Sequence, residues 1–494
     1  MPSRMKVSRS KVGAILSSLS AFGAGCGATN GSPAASRPVT AAAPAATSAS
    51  GVQGSGATPE PAAASAAPVA LPATPASAQF ARWLAAFNSA DREALLAYHQ
   101  ECFPYSAASH DVADIEREHG LSVGTHGFSE RQVEESTATT LSIVLQEHRG
   151  PQFARVHIEV EPDPPHVVKA FTIGPIPTPL QFSSSVEQEH RRVDGKRRQA
   201  VIDSLRQELI AHYVSAELAQ KMADGLGEKV SLGGYDEIVD AVQFAVTLTE
   251  DLQAVSHDKH LRVRFGPPPS PPPESPAGSD APPWMVQQNF GFGAVERLSA
   301  NVGLLTINRF VPALNQAVKD AIGARISPIA DADAVIIDLR NNGGGWPETV
   351  ALIASYFFGP KPLHLSDIKR RDTGEVKQFW SESTLAGTRF GAKKPVYVLT
   401  SSRTFSGGED LAYTLQAHQR ALVVGETTAG GAHPVELRPL DADLFVTMPW
   451  GESINPITKG NWEGTGVQPD LAAPAPEALE RALEALAAKQ TKKH

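Results

Sequence analysis

Cysteine is nearly absent from this chain. Only Cys26 and Cys102 occur among its 494 residues, which excludes a disulfide-stapled scaffold and a cysteine-built zinc site. No His-Glu-x-x-His run is present, so a zincin-type metalloenzyme has no support. Positive charge is sparse: 44 Lys and Arg stand against 53 Asp and Glu, giving a formal net charge of −9. With no basic patch and no long Lys/Arg run, the composition argues against a nucleic-acid binder. The uncharged stretch near the N-terminus, Val12 to Gly25, is too short to span a bilayer.

That short stretch has a different use. Arg4, Lys6, Arg9 and Lys11 precede it and Cys26 follows Gly23-Ala24-Gly25, so residues 1–26 read as an export signal. The segment resembles a bacterial lipoprotein cleavage site, with Cys26 as the lipidated first residue and a membrane tether. Gly23 stands where leucine is usual, and a soluble secreted protein with an incidental cysteine is the alternative. Residues 27–77 are rich in Ala, Pro, Ser, Thr and Gly, with Arg37 and Glu60 as their only charges. Such a segment cannot bury a core and is expected to be a disordered tether.

Composition turns globular at about Ala78. Phe80, Trp83, Leu84 and Phe87 recur at helical spacing, and a second helix carries Leu95, Leu96 and Tyr98. Strands are predicted over Thr140–Gln146, Phe153–Val160 and Val167–Ile173. Helices followed by an antiparallel meander predict a small α+β domain over 78–180. Its arrangement is similar to the cone-shaped, cystatin-like fold of SnoaL-like domains. No charged constellation there names a reaction, so an accessory or dimerising module is expected. Residues 187–265 read as a helical segment and 266–283 as a Pro-rich loop. Alternating strands and helices over 284–494 predict an α/β core.

Two stretches of that core carry the chemistry. In the first, Val396–Leu399 is a buried strand, Thr404-Phe405-Ser406-Gly407-Gly408 turns the chain, and a helix follows. Ser406 therefore sits at a helix N-terminus, where unpaired backbone N–H groups can stabilise an oxyanion. The same residues, Ser406 to Glu409, also fit a capping box in which the serine only caps the helix. In the second, the strand Ala334–Leu339 runs into Arg340-Asn341-Asn342-Gly343-Gly344-Gly345, whose glycines permit close backbone approach.

Together these stretches resemble the C-terminal processing (tail-specific) serine peptidases, in the branch of tricorn protease and the interphotoreceptor retinoid-binding proteins. The motifs carrying the resemblance are DLRNNGGG (338–345), TFSGGE (404–409), GETTAGG (425–431) and NWEGTGVQPD (461–470). It covers about Glu187 to the C-terminus and implies a ClpP/crotonase-like spiral core without metal or organic cofactor. It also implies Ser406 as nucleophile, His260 in its D-x-H-L context as base, and Glu463 as the acid that orients the imidazole. His257 and His433 are the rival bases. Gly407 and one of Gly343–Gly345, with Gly344 or Gly345 favoured, are the expected oxyanion donors. The Ser–Lys dyad of most tail-specific peptidases is missing, because Gly431 occupies the position of its lysine. The implied activity is an exported serine endopeptidase acting on proteins or peptides. The alternative is a non-catalytic binder of apolar ligands, as in the retinoid-binding branch, and an esterase using the same serine is a third reading.

Overall fold

The computed structural model describes residues 69–103, 112–266, 280–313 and 315–491. Cys26, the tether and most of the Pro-rich loop lie outside the described residues. The chain is mixed α/β with several sheets and divides into two units at Pro179.

In the N-terminal unit, Thr74 caps α1 (Pro75–Asn88) by accepting from the Ser77 N–H, and Pro75 occupies a first-turn position where its missing N–H costs nothing. Phe80, Trp83, Leu84 and Phe87 are all buried, the stripe expected from 3.6-residue spacing. Helices α2 (Arg92–Cys102) and α3 (Val112–Thr125) follow. Strands β1 (Phe128–Ser136), β2 (Thr140–Glu147), β3 (Phe153–Val160) and β4 (Val168–Ile176) then form an antiparallel sheet in chain order. Along β3, Ala154, Val156, Ile158 and Val160 are buried, matching the alternation read from the sequence. Two elements are additions to that reading. Helix α3 is polar in sequence, and β1 reads Ser-Glu-Arg-Gln at its centre with two register shifts, so neither shows clear periodicity. A buried pair, His99 Nε2 to Glu118 Oε2 at 2.7 Å, lies within this unit.

The C-terminal unit opens with α4 (Ser185–Arg191), α5 (Gly195–His212), α6 (Ala216–Ser231) and α7 (Ala241–Ser256), which pack through Val201, Leu205, Leu209, Met222, Phe244 and Leu248. Next come β5 (Arg262–Phe265), α8 (Pro283–Gln287), β6 (Phe292–Leu298), β7 (Val302–Ile307), α9 (Gln316–Ile326) and β8 (Ala334–Asp338). Then follow α10 (Pro347–Ser355), β9 (His364–Arg370), β10 (Val376–Trp380), β11 (Val396–Thr400), α11 (Gly407–Ala417) and β12 (Leu422–Gly425). The chain ends with β13 (Val435–Pro439), β14 (Leu444–Pro449), β15 (Gly451–Ile454), β16 (Leu471–Ala472) and α12 (Ala478–Thr491).

A six-stranded sheet in the order β16-β12-β11-β8-β7-β6 organises the unit. Its strands are parallel except for β6, which pairs antiparallel to β7 at the edge. Every residue of β8 and β11 is buried, as unbroken apolar runs in a covered parallel sheet require. Because β8 and β11 are neighbours, the turns at their C-terminal ends meet. Those turns are Arg340–Gly345 and Ser401–Ser406. Two smaller sheets, β13-β14-β5 and β10-β9-β15, flank the unit. The first joins β5, which directly follows His260, to β14.

Candidate active site

Ser406 is the N-cap of α11 with φ 53° and ψ −122°, a strained backbone for a residue with a side chain. Two contacts hold it there. Its N–H donates to Glu409 Oε2 at 2.8 Å, and Phe405 N–H donates to the Asn342 carbonyl at 2.9 Å. Glu409 is completely buried. Besides Ser406, its carboxylate accepts from Gly430 N–H at 2.6 Å, Gly431 N–H at 2.9 Å and the Thr428 hydroxyl. Burial pushes its carboxyl up in spite of these donors. Glu409 thus makes the capping-box contact to the Ser406 N–H and also fastens the Ser406 turn to the 428–431 loop.

The glycine loop after β8 lies against this turn. A Cβ on Gly344 (φ 102°) would fall 2.7 Å from Ser406 Cβ and 3.0 Å from Gly407 N, so only glycine allows the approach. A Cβ on Gly407 would likewise fall 3.1 Å from Gly345 N. Of the two favoured loop donors, the structure excludes Gly344. Its N–H donates to Asn342 Oδ1 at 2.8 Å, and buried Asn342 is itself anchored on the Ile307 carbonyl at 2.9 Å. Gly345 and Gly407 keep N–H groups with no hydrogen-bond partner among the described residues. That leaves Gly345 and Gly407, which approach one another closely beside Ser406, as the pair of candidate donors.

His260 is 9% exposed, and its ring packs on Phe405 with centroids 4.4 Å apart. Burial pushes its imidazole down to about 4. The expected pairing of His260 with Glu463 is not formed. His260 Nδ1 is buried with no hydrogen-bond partner among the described residues. Glu463 Oε2 instead accepts the N–H groups of Ala432 and His433, the latter at 3.2 Å, and lies 3.6 Å from His433 Nδ1. The physical reason is that two backbone donors of the 432–433 segment capture the carboxylate. The rival His257 is exposed and left-handed (φ 56°) at the C-cap of α7. No hydrogen bond joins Ser406 to His260 or His433 among the described residues.

Gly431, where a dyad lysine would stand, explains the space His260 occupies. A Cβ there would fall 2.2 Å from Phe405 Cε2 and 2.8 Å from His260 Cε1. A side chain at 431 and this histidine packing exclude one another.

Asp258 was passed over in the sequence, although D-x-H was its signal. It is 1% exposed, and its Oδ1 accepts the His260 N–H at 2.9 Å. Its Oδ2 lies 2.7 Å from His433 Nδ1 and accepts the Tyr213 hydroxyl at 3.3 Å. Burial opposes the charge on both Asp258 and His433, but their mutual bond prevails: the carboxyl titrates below its ordinary value and the imidazole above. Asp258, His433 and Glu463 offer three ligand-type atoms within 4.8 Å of one another. The 2.7 Å contact between His433 Nδ1 and Asp258 Oδ2 occupies one ring nitrogen and leaves Nε2 as the nitrogen with a lone pair to offer.

Residues 301–473 match the model of peptidase family S41, and residues 195–291 match the N-terminal domain of peptidase S41 in eukaryotic IRBP. A carboxyl-terminal-processing protease of Synechocystis sp. is 36% identical over 99 residues, 20% of this chain and 21% of the relative. A protein of Staphylococcus haemolyticus bearing the name CtpA-like serine protease is 27% identical over 181 residues, 36% of this chain and 34% of the relative. The chain thus spans from about a fifth to a third of the length of these relatives. Among solved structures, a lipoprotein from Streptococcus agalactiae aligns at TM-score 0.42 and 14% identity, over 59% of this chain and 96% of that one. The two matched segments run almost end to end through the C-terminal unit and contain Ser406, His260 and both glycine turns, so this unit carries a peptidase S41 domain preceded by an S41 N-terminal domain.

Proposed function

We propose that this protein is an exported serine endopeptidase that hydrolyses peptide bonds in proteins or peptides, using histidine rather than lysine as base. The observation that carries the reading is Ser406, held at positive φ at the start of α11 beside the unpartnered N–H groups of Gly345 and Gly407. In this mechanism Ser406 Oγ attacks the substrate carbonyl carbon and its proton passes to His260. The negative charge that develops on the carbonyl oxygen is met by the two N–H groups, a contribution of about 10²–10³ in rate per donor in comparable sites. The imidazolium then protonates the leaving amine, and water attacks the acyl-serine with His260 again as base. A buried, neutral imidazole suits this role, because the proton acceptor must be unprotonated at working pH. The match of residues 195–291 and the glycine at 431 support the histidine-based, tricorn-like and retinoid-binding-protein-like branch over the Ser–Lys one. The N-terminal α+β unit is taken as an accessory module, and Cys26 as a lipidated anchor.

Labelling with a fluorophosphonate probe tests the reading. The mature protein should label at Ser406, and Ser406→Ala and His260→Ala should abolish labelling while both variants keep the parental thermal midpoint. A parent that stays unlabelled where a known serine peptidase reacts would sink the enzymatic reading.

A further inference from the structure

We propose that Asp258 and His433 are positioning residues for the base: a buried carboxylate–imidazole tie that holds the His260 turn against the nucleophile's loop. The inference rests on the reading of Ser406 and His260 as nucleophile and base.

The starting point is the His260 ring. In a Ser-His-Asp arrangement the acid orients the imidazole through Nδ1. Here Nδ1 has no hydrogen-bond partner among the described residues, and Glu463 is engaged elsewhere. His260 is held instead by its backbone N–H, bonded to Asp258 Oδ1 at 2.9 Å, and by its contact with Phe405. What fixes Asp258 therefore fixes the base. Its other oxygen is 2.7 Å from Nδ1 of His433, a residue 175 positions further along the chain.

His433 belongs to the loop between β12 and β13, and that loop is bonded to Glu409, which holds Ser406, and to the 462–463 segment. Gly430 and Gly431 donate to Glu409, which accepts the Ser406 N–H. Ala432 and His433 donate to Glu463, and Trp462 Nε1 donates to the Gly431 carbonyl at 2.8 Å. A second strap crosses from the histidine turn, where Lys259 Nζ donates to the Ala429 carbonyl at 2.6 Å. An unbroken bonded route thus runs from His260 through Asp258, His433, the 430–433 backbone and Glu409 to Ser406. Within it, Asp258–His433 is the link made by two side chains. Removing His433 takes from buried Asp258 its charged partner, and removing Asp258 leaves His433 with Glu463 at 3.6 Å as its nearest acid, so in either case the histidine turn loses this tie to the serine turn. The titratable groups facing His433 are Asp258, Glu463 and Glu452, which favour an imidazolium there against its burial, and His260, whose own protonation a charged His433 disfavours.

The test uses fluorophosphonate labelling of the full mature chain, resolved into the maximal labelling rate and the half-saturating probe concentration. His433→Leu and Asp258→Ala are expected to lower the maximal rate about 10²-fold, the scale of an ångström-sized misplacement, with half-saturation unchanged. His433→Asn, whose Nδ2 can stand where Nδ1 stands and donate to Asp258, is expected to restore most of the rate. The double variant Asp258→Ala/His433→Leu should be no worse than either single one. Parental rates in His433→Leu would overturn the proposal. So would a His433→Asn variant as inactive as His260→Ala, which would make His433 itself the base. Histidine ring titration by NMR reads the tie independently of catalysis: His433 should titrate above free histidine in the parent and fall in Asp258→Asn. A His433 that titrates like free histidine in the parent refutes the tie. A parent that never labels overturns the enzymatic reading instead, and the positioning role with it, whatever the titration shows.

Discussion

At the residue scale, His260 makes the sharpest demand. Free histidine titrates near 6.5, whereas burial brings this one to about 4. Between those values the unfolded chain binds a proton that the folded chain does not. Stability contributed by this residue therefore falls as pH drops from about 6.5 to about 4, by up to about 3 kcal/mol. Two measurements follow. Urea midpoints at pH 7 and pH 4.5 should differ less in His260→Gln than in the parent, a comparison that cancels the opposing shifts of Glu409 and Glu463, both raised by burial. The acid limb of Ser406 labelling should lie near pH 4. A limb near 6.5 would mean a solvated base. None of this is visible in the letters Asp-Lys-His-Leu, because the shift is produced by Phe405 and other residues far away in sequence.

At the scale of elements, the strand–turn–helix at 396–417 was legible in advance, and its position at the sheet's centre explains why. Apolar runs such as Val-Tyr-Val-Leu survive in sequence where both faces are covered. The capping box was legible for the same local reason, since Ser406 and Glu409 are three residues apart. The larger half of Glu409's work was not, because its partners Thr428, Gly430 and Gly431 come 19 to 22 residues later. We expect Glu409→Gln to be costly. One amide cannot accept from four donors, and each buried N–H left facing the NH₂ group forfeits about 1–3 kcal/mol. The variant should unfold at lower urea and label more slowly at Ser406. An unchanged midpoint would show that the 428–431 loop is held by something else. Edge elements escaped the sequence reading in a consistent way. Strand β6 and the β9–β10 pair are partly exposed and mixed in polarity, so no single period dominates them.

At the scale of the whole molecule, the C-terminal unit carries every component of the proposed chemistry, and the N-terminal unit has a separate core built on Trp83, Phe80, Phe87 and the β2–β3 strands. No helix among the described residues is long and apolar enough to cross a membrane. In the proposed reading Cys26 is the point of attachment to an envelope, with residues 27–77 as spacer. One fatty acyl chain alone gives marginal binding, so a diacylated cysteine is the form expected to anchor stably. Expressed in an exporting bacterium, the parent should begin at Cys26 and carry lipid by mass spectrometry and partition with membranes, while Cys26→Ser should be released. An unmodified Cys26 in the exported protein would favour the soluble secreted alternative.

Sequence alone determined what is local: the α/β character of the core, the serine at a helix start, the glycine-rich turn, and the glycine at 431. Each of these follows from residues within a few positions of one another. Only the tertiary structure decided which glycine keeps a free N–H, that Glu463 serves the 432–433 backbone rather than His260, and that Asp258 reaches His433. The first depends on Asn342, whose amide is fixed by the Ile307 carbonyl 35 residues away, and the other two on which of several donors captures a carboxylate. Chain segments more than 150 residues apart set that competition, and they meet only once β8 and β11 lie side by side and β5 pairs with β14.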